Sequence, residues 1–365
     1  MKKNFLSIFI VLFVLIFTIS FIFLPKKSFS ENENRYLEKF PTFSYKTLLN
    51  GKYISSLENY IIDHFPLRDL FMSIKSNTEL LLGERLINNV YVGKNEYLFM
   101  KYDKMENPDR LIKKLNNFYD NNNINMQLML VESSGNIYSE LLPKNVDYSI
   151  VLNDINYICN NIEFDCIDIH NYLMDGKKNY NMFYRLDHHW TSYGAYYAYL
   201  AFASKNNITP ISINDFDIKE VSNSFNGTLY SKTGLYQYKS DSIVSFNNNS
   251  KLKVNYVNEN VVSDTLYNIE NLDKKDKYTY FLNGNHPLIE ITNDELSNNI
   301  LVIKDSYANS FIPFLTNHYG KVYVIDLRFY SGNISNFISE NNIKNVLFLY
   351  SMQGISEDVN IYKLK

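Results

Sequence analysis

The segment "RLDHHW", Arg185–Trp190, sets an acid, two of the chain's six histidines and its only tryptophan in four consecutive positions. Far downstream, "KDS" (Lys304–Ser306) places an acid and a serine directly after an apolar run. A serine hydroxyl becomes a nucleophile when a base takes its proton, and the base needs an acid that orients it. Asp187 and His189 are two apart, and in extended chain such side chains point the same way. Asp187 would hold one imidazole nitrogen while the other faces Ser306. His188 would then point elsewhere, with no role, and Trp190 would wall the site or lie beneath the imidazole. On the turn into a helix, Ser306 would have first-turn amides beside it, Tyr307 among them. Such amides are unsatisfied within the helix and can donate to a developing oxyanion.

The same residues admit plainer readings. Asp305 or Ser306 could be an N-cap and nothing more. Asp187 could cap the helix that begins near Thr191, with the aromatics as core. Asp187, His188 and His189 could bind a metal. Against that stand the other histidines, His64, His170, His286 and His318, which are scattered with no HxxxH or HxH spacing. Gly-rich phosphate loops are absent, which argues against a nucleotide cofactor. No cofactor and no metal are expected.

Both segments need a scaffold. "MQLMLVES" (126–133), "FDCIDI" (164–169), "NNILVIKDS" (298–306), "KVYVIDL" (321–327) and "NVLFLY" (345–350) read as short buried strands. Helical patterns alternate with them over 107–121, about 150–159, 187–203 after "DHHW", and "YANSFIPFLTNHYG". That alternation predicts an α/β fold, a parallel sheet flanked by helices, with ligands at the carboxyl ends of the strands. Residues 213–292 contain no long helix and alternate apolar with polar residues, which predicts an inserted antiparallel β region. "YISSLENYIIDHFPLRDLFMSIKSNTELLLG" (53–83) reads as two helices meeting at Pro66, and "NVYVGKNEYLF" (89–99) as a hairpin turning at Gly93–Asn95.

The N-terminus carries "FLSIFIVLFVLIFTISFIFL", residues 5–24, without one charge. As a helix it would span a bilayer of about 30 Å. Lys2 and Lys3 precede it, and Pro25, Lys26 and Lys27 follow. No small-x-small cleavage site follows, so the expectation is a single-pass signal-anchor with the remaining chain outside the cytoplasm. The expected organisation is 1–27 as the anchor, 28–100 as an extension packing on the core, and 101–365 as the α/β domain. With 36 basic and 39 acidic residues, nothing suggests a nucleic-acid surface. Cys159 and Cys166 could be bridged outside the cytoplasm or be separate core residues.

Together "YRLDHHWT" and "VIKDSYANSF" resemble the DHHW protein family, which is similar to the alginate O-acetylation proteins with an SGNH-hydrolase-like domain. Supporting segments are "SENENRYLEKFP" (30–41), "DHFPLRD" (63–69), "VYVGKNEYLF" (90–99), "FNGTLYSKTG" (225–234) and "YFLNGNHPLIEI" (280–291). The resemblance implies an SGNH-hydrolase-like fold and a triad in permuted order, with Ser306 as nucleophile, His189 as base and Asp187 as its orienter. It implies an extracytoplasmic acyltransferase that places acetyl groups on exopolysaccharide hydroxyls. Its donor would be acetyl brought across the membrane by a membrane-bound O-acyltransferase. The glycine of the hydrolase GDS motif is Lys304 here. Gly284 with Asn285, or Gly135 with Asn136, are candidates to complete the oxyanion hole, and Arg328 is a candidate for a substrate carbonyl or carboxylate, or a surface ion pair. A deacetylase with the same triad and a non-catalytic glycan-binding component are the competing functions.

Overall fold

The computed structural model describes residues 2–30, 32, 35–248 and 250–364. Glu31, Glu33 and Asn34 of the 30–41 segment lie outside the described residues. The chain divides into two units, residues 1–88 with 230–238, and residues 89–229 with 239–365. The hairpin expected in the N-terminal extension thus falls in the second unit.

In the first unit the apolar run forms α1 (Lys2–Phe23). Among the described residues it is the one helix long and apolar enough to cross a membrane. The helices α2 (Lys52–Asp63) and α3 (Arg68–Leu81) flank Pro66, as the pattern predicts. Arg35 donates to both oxygens of the buried Asp63, which also accepts the Glu38 N–H at 2.8 Å. Asn32 donates to Asp69 at 2.5 Å. These bonds tie the 30–41 segment to the 63–69 segment.

The second unit opens with a hairpin, β1 (Val90–Val92) and β2 (Leu98–Met100), paired from Val90↔Met100. Its loop takes left-handed backbone at Asn95 and Glu96, φ 55° and 61°. Next come α4 (Pro108–Asp120), β3 (Asn125–Val131), α5 (Ser149–Asn161), β4 (Asp165–Cys166) and α6 (Ser192–Lys205). The antiparallel region supplies β5 (Asp217–Phe225), β6 (Asp241–Asn247), β7 (Lys253–Tyr256), β8 (Val261–Ser263) and β9 (Leu288–Thr292). The chain then forms β10 (Asn299–Lys304), β11 (Lys321–Ile325), α7 (Ile334–Glu340) and β12 (Asn345–Ser351).

The main sheet has eight strands in the order β8-β7-β9-β11-β10-β12-β3-β4. From β11 to β4 neighbouring strands are parallel. Its central strands are buried almost end to end, as "ILVI", "VYVI" and "VLFLY" demand of a sheet covered on both faces. The antiparallel strands β9, β7 and β8 extend its β11 edge, while β5 and β6 pair separately. Much of the inserted region is therefore part of the main sheet. After β10 the chain enters β11 on one side and later β12 on the other, so strand order reverses at β10. Such a switch point opens a crevice at the carboxyl ends of the strands, where Ser306 lies.

Two elements are shorter than expected. The "FDCIDI" strand is only Asp165–Cys166, because Asp168 accepts the His170 N–H at 2.9 Å and turns the chain. Cys166 is bonded to Cys159 across a Cα–Cα distance of 5.5 Å. The helix-like stretch after "KDS" is a 3-10 turn, Ser306–Ser310, followed by a short helix at Ile312–Leu315.

Candidate active site

The DHHW segment is the loop of a small hairpin. Phe183 and Trp190 form an antiparallel bridge, and the Tyr184 N–H donates to the His189 carbonyl at 3.2 Å. Arg185 holds the loop by donating from Nε to Asp241 at 3.0 Å, from one terminal nitrogen to Glu96 at 3.3 Å, and from the other to the Lys239 carbonyl at 2.8 Å. Asp241 also accepts the Leu186 N–H at 2.9 Å. Glu96, on the left-handed loop between β1 and β2, is thereby given a purpose that its backbone conformation alone does not explain.

Asp187 and His189 meet because the loop folds, not because the chain is extended. Asp187 Oδ1 accepts both the His189 N–H at 3.0 Å and ring Nδ1 at 2.5 Å. Its Oδ2 accepts the Thr228 N–H at 2.8 Å and the Thr228 hydroxyl at 3.2 Å. A carboxylate can only accept, so Nδ1 carries the imidazole proton and Nε2 is left with its lone pair. The Ser306 hydroxyl lies 2.7 Å from that lone pair. Asp187 and His189 are buried, while Ser306 keeps partial exposure among buried neighbours.

Burial pushes the Asp187 carboxyl up. Interactions with the His188 and His189 imidazoles, with the His189 and Thr228 hydrogen bonds, outweigh it and hold the group well below the usual carboxylate range. His188 does not point elsewhere, as the extended reading required. Its Nδ1 donates to the Thr228 hydroxyl at 2.7 Å, and its ring lies 3.9 Å from that of His189. Asp187 caps no part of α6, because Thr191 does so by accepting the Gly194 N–H at 3.2 Å.

The serine turn is braced from below. Asp305, not Ser306, is the N-cap, accepting the Tyr307 N–H at 2.9 Å. Its other oxygen accepts the Ser351 N–H at 2.8 Å and hydroxyl at 2.7 Å, at the end of β12. A Cβ on Gly354 would sit 2.2 Å from that oxygen, so glycine is needed there. Burial raises the Asp305 carboxyl, while the Ser351 and Tyr307 hydrogen bonds pull it back.

The remaining candidates divide. Trp190 walls the serine turn, its indole N–H donating to the Tyr307 carbonyl at 2.9 Å, but it does not lie under the imidazole. That place belongs to Tyr278, which the sequence reading missed. Tyr307 has no polar group to spare, since its N–H goes to Asp305 and its hydroxyl to the His188 carbonyl. The Gly284 N–H donates to the Phe281 carbonyl at 3.1 Å and so is not an oxyanion donor. Asn285 is exposed, with Oδ1 held by Lys304 Nζ at 2.6 Å. Asn136 is turned away, its Nδ2 donating to the Tyr148 carbonyl at 2.7 Å, and a Cβ on Gly135 would strike the Tyr148 ring. Arg328 makes two hydrogen bonds to buried Asp326, at 2.8 and 2.5 Å, and its guanidinium remains partly exposed.

Lys304 is fully buried. Its ammonium meets Asn285 Oδ1, Asn309 Oδ1 at 2.7 Å and Asp326 at 3.6 Å. Burial lowers it to about 8, against the pull of Asp326. The lysine standing where the hydrolase motif has glycine is thus a fixed strut under the serine turn.

Thr228 and Gly227 were also missed as site residues. A Cβ on Gly227 would lie 2.2 Å from Asp187 Oδ2, so only glycine lets the Thr228 amide approach. The signal was present in "FNGTLYSKTG", without a spacing that pointed to Asp187. Asp187, His188 and His189 also lie close enough to share a cation, with one ligand atom from each within 4.8 Å of the others. Both His189 nitrogens are already bonded, to Asp187 Oδ1 and Ser306, and Asp187 Oδ2 is held by Thr228.

The DHHW protein family matches residues 169–325, and the SGNH hydrolase-like domain of acetyltransferase AlgX matches residues 90–244. Among solved structures, a DHHW family protein from Eubacterium siraeum DSM 15702 is 21% identical with a TM-score of 0.67. The match covers 76% of this chain and 96% of that one. Bacillus cereus PatB1 with a sulfonyl adduct is 22% identical with a TM-score of 0.62, over 76% of this chain and 98% of that one. A second structure of PatB1 gives 22% identity and a TM-score of 0.60, over 74% of this chain and 98% of that one. No curated protein matches the sequence. The chain resembles the DHHW and AlgX-type proteins, and its fold is the SGNH-like α/β fold.

Proposed function

We propose that this protein is an extracytoplasmic O-acetyltransferase that passes acetyl groups to hydroxyls of a cell-surface exopolysaccharide. Ser306 is the nucleophile, His189 the base and Asp187 its orienter. The observation that carries this reading is the continuous relay Asp187 Oδ1–His189 Nδ1 at 2.5 Å and His189 Nε2–Ser306 Oγ at 2.7 Å. His189 takes the Ser306 proton as Oγ bonds to the acetyl carbonyl carbon, and returns it to the leaving group as acetyl-serine forms. In the second half, His189 takes the proton of a sugar hydroxyl, that oxygen attacks the acetyl-serine, and the proton returns to Ser306. Base catalysis of this kind contributes about 10²–10⁴ in rate.

The oxyanion donors follow from what is left over. Tyr307 N–H is taken by Asp305, whereas Ser306 N–H makes no hydrogen bond among the described residues. Asn285 Nδ2 is the second candidate, because Lys304 holds the amide oxygen inward. One such donor is worth about 3–4 kcal/mol in the transition state.

The apolar α1 supports a membrane anchor, and the Cys159–Cys166 bond suits an oxidising compartment. The acetyl donor is delivered by a membrane-bound O-acyltransferase, and the partner on the acceptor side is the polysaccharide. The test is acetylation of glycan by full-length protein given an activated acetyl ester. Ser306→Ala should abolish transfer with an unchanged unfolding transition, and native protein should trap acetyl on Ser306. Free acetate without acetylated glycan would instead mark a deacetylase, and binding without any acetyl-serine a non-catalytic component. Transfer that survives a chelator excludes a metal at Asp187, His188 and His189.

A further inference from the structure

The segment "DHFPLRD" has no part in the relay. It forms the corner between α2 and α3, and the apolar side chains at its tip face outward. Leu67 holds left-handed backbone, φ 58°, and is 62% exposed. A leucine in that conformation costs about 1–2 kcal/mol, so exposing it to water is a poor use of the strain. From it runs a stripe of exposed or half-exposed side chains at helical spacing, Leu67, Phe71, Ile74 and Leu81. Beside the stripe the polar groups are turned to one another, with Arg35 on Asp63 and Asn32 on Asp69.

The anchor supplies the depth. Phe17 of α1 stacks on Phe65 with ring centroids 5.3 Å apart, and meets Phe71 at 5.7 Å. Phe21 meets Tyr60 at 6.1 Å. Phe17 lies six residues before the end of α1, a drop of about 9 Å at the helical rise. If α1 crosses a bilayer whose apolar layer is about 30 Å thick, the partners of Phe17 cannot lie in water.

We propose that the α2–α3 corner is a membrane wedge, with Phe65, Leu67, Phe71 and Ile74 immersed in the lipid leaflet at which α1 emerges. The inference rests on α1 spanning the membrane. The occupant of the apolar face is the acyl-chain region of phospholipid, and the paired charges of the corner lie at the headgroup level. The motif then serves to fix how the first unit is seated on the bilayer.

Full-length protein in phosphatidylcholine–phosphatidylglycerol vesicles tests this, with a nitroxide attached in turn to Leu67→Cys, Ile74→Cys, Leu12→Cys and Glu79→Cys. Lipid exposure gives high collision with oxygen and low collision with a water-soluble nickel complex. The expected result is that positions 67 and 74 behave like position 12, while position 79 behaves as water-exposed. Nickel collision at 67 and 74 equal to that at 79, with 12 still in lipid, overturns the wedge but leaves the anchor. Low collision with both probes at 67 and 74 means protein covers the face, and also overturns it. Nickel access at position 12 would defeat the spanning reading itself.

Discussion

The imidazole of His189 lies flat on the phenol ring of Tyr278, with centroids 3.8 Å apart and planes 11° from parallel. Asp187 and Ser306 fix the two ends of the imidazole, but neither prevents rotation out of the common plane. Tyr278 does so from one face. Its own position is set by a hydrogen bond between its hydroxyl and Ser310, at 3.1 Å, within the turn that Ser306 begins. His189 and Ser306 are therefore registered through one short segment.

Stacking of this kind is worth about 0.5–1.5 kcal/mol. Tyr278→Ala should therefore lower kcat roughly two- to tenfold, since about 1.4 kcal/mol is a factor of ten. Tyr278→Phe keeps the ring and should retain most of the rate. Equal loss in both variants would mean that the hydroxyl, not the stacked face, matters.

Asp187 carries a second expectation, in pH. Its carboxyl is held below the usual range in the fold, so it contributes stability above its unfolded value of 3.8 and loses it as pH falls through the lower folded value. Urea unfolding of wild type and Asp187→Asn should show a gap that is constant from neutral pH down to the ordinary carboxylate range and closes below it. The same variant should lose about 10²–10⁴ of the transfer rate, because the imidazole is no longer held in the right tautomer. A gap that grows toward acid pH would contradict the assigned charge.

Gly227→Ala tests the close approach. The added Cβ would stand 2.3 Å from the Asp187 Cβ as well as 2.2 Å from Oδ2, so either the Thr228 amide or the carboxylate must move. We expect a loss of transfer out of proportion to the loss of stability. Gly83→Ala is the control, since a Cβ there meets nothing within 4 Å and only its left-handed φ is strained. Similar behaviour of the two variants would reduce Gly227 to a backbone requirement.

The strands and the two polar clusters were legible because buried parallel strands are unbroken apolar runs and because His, Asp and Ser are conspicuous beside them. What was not legible depended on distant segments. Tyr278 looks like any of 31 tyrosines until the fold lays it on His189. Thr228 reaches Asp187 only through the glycine before it. Tyr307, Gly284 and Arg328 sit in suggestive places, yet their N–H groups are already bonded, to Asp305, Phe281 and Asp326. Local pattern shows which groups are present; it does not show which are already engaged.

Lys304 offers the sharpest electrostatic test. Burial lowers its ammonium from 10.5 to about 8. Below pH 8 both folded and unfolded chains hold the proton, and its cost to the fold is constant. Between about 8 and 10.5 the unfolded chain keeps a proton that the folded chain has released, so stability should rise with pH. The shift corresponds to roughly 3 kcal/mol at most. Burial raises many tyrosines above 10.0, so near the top of this range their unfolded forms ionise first and act with the opposite sign, and wild type alone is uninformative. The difference between wild type and Lys304→Met cancels them, and should move in favour of wild type as pH rises from 8 to 10.5. Lys304→Met also frees Asn285 from its amide clamp, so transfer should fall even at neutral pH, with kcat affected more than KM. A pH-independent stability difference would mean that Asp326 keeps the ammonium charged throughout, and that Lys304 is a permanent ion-pair partner.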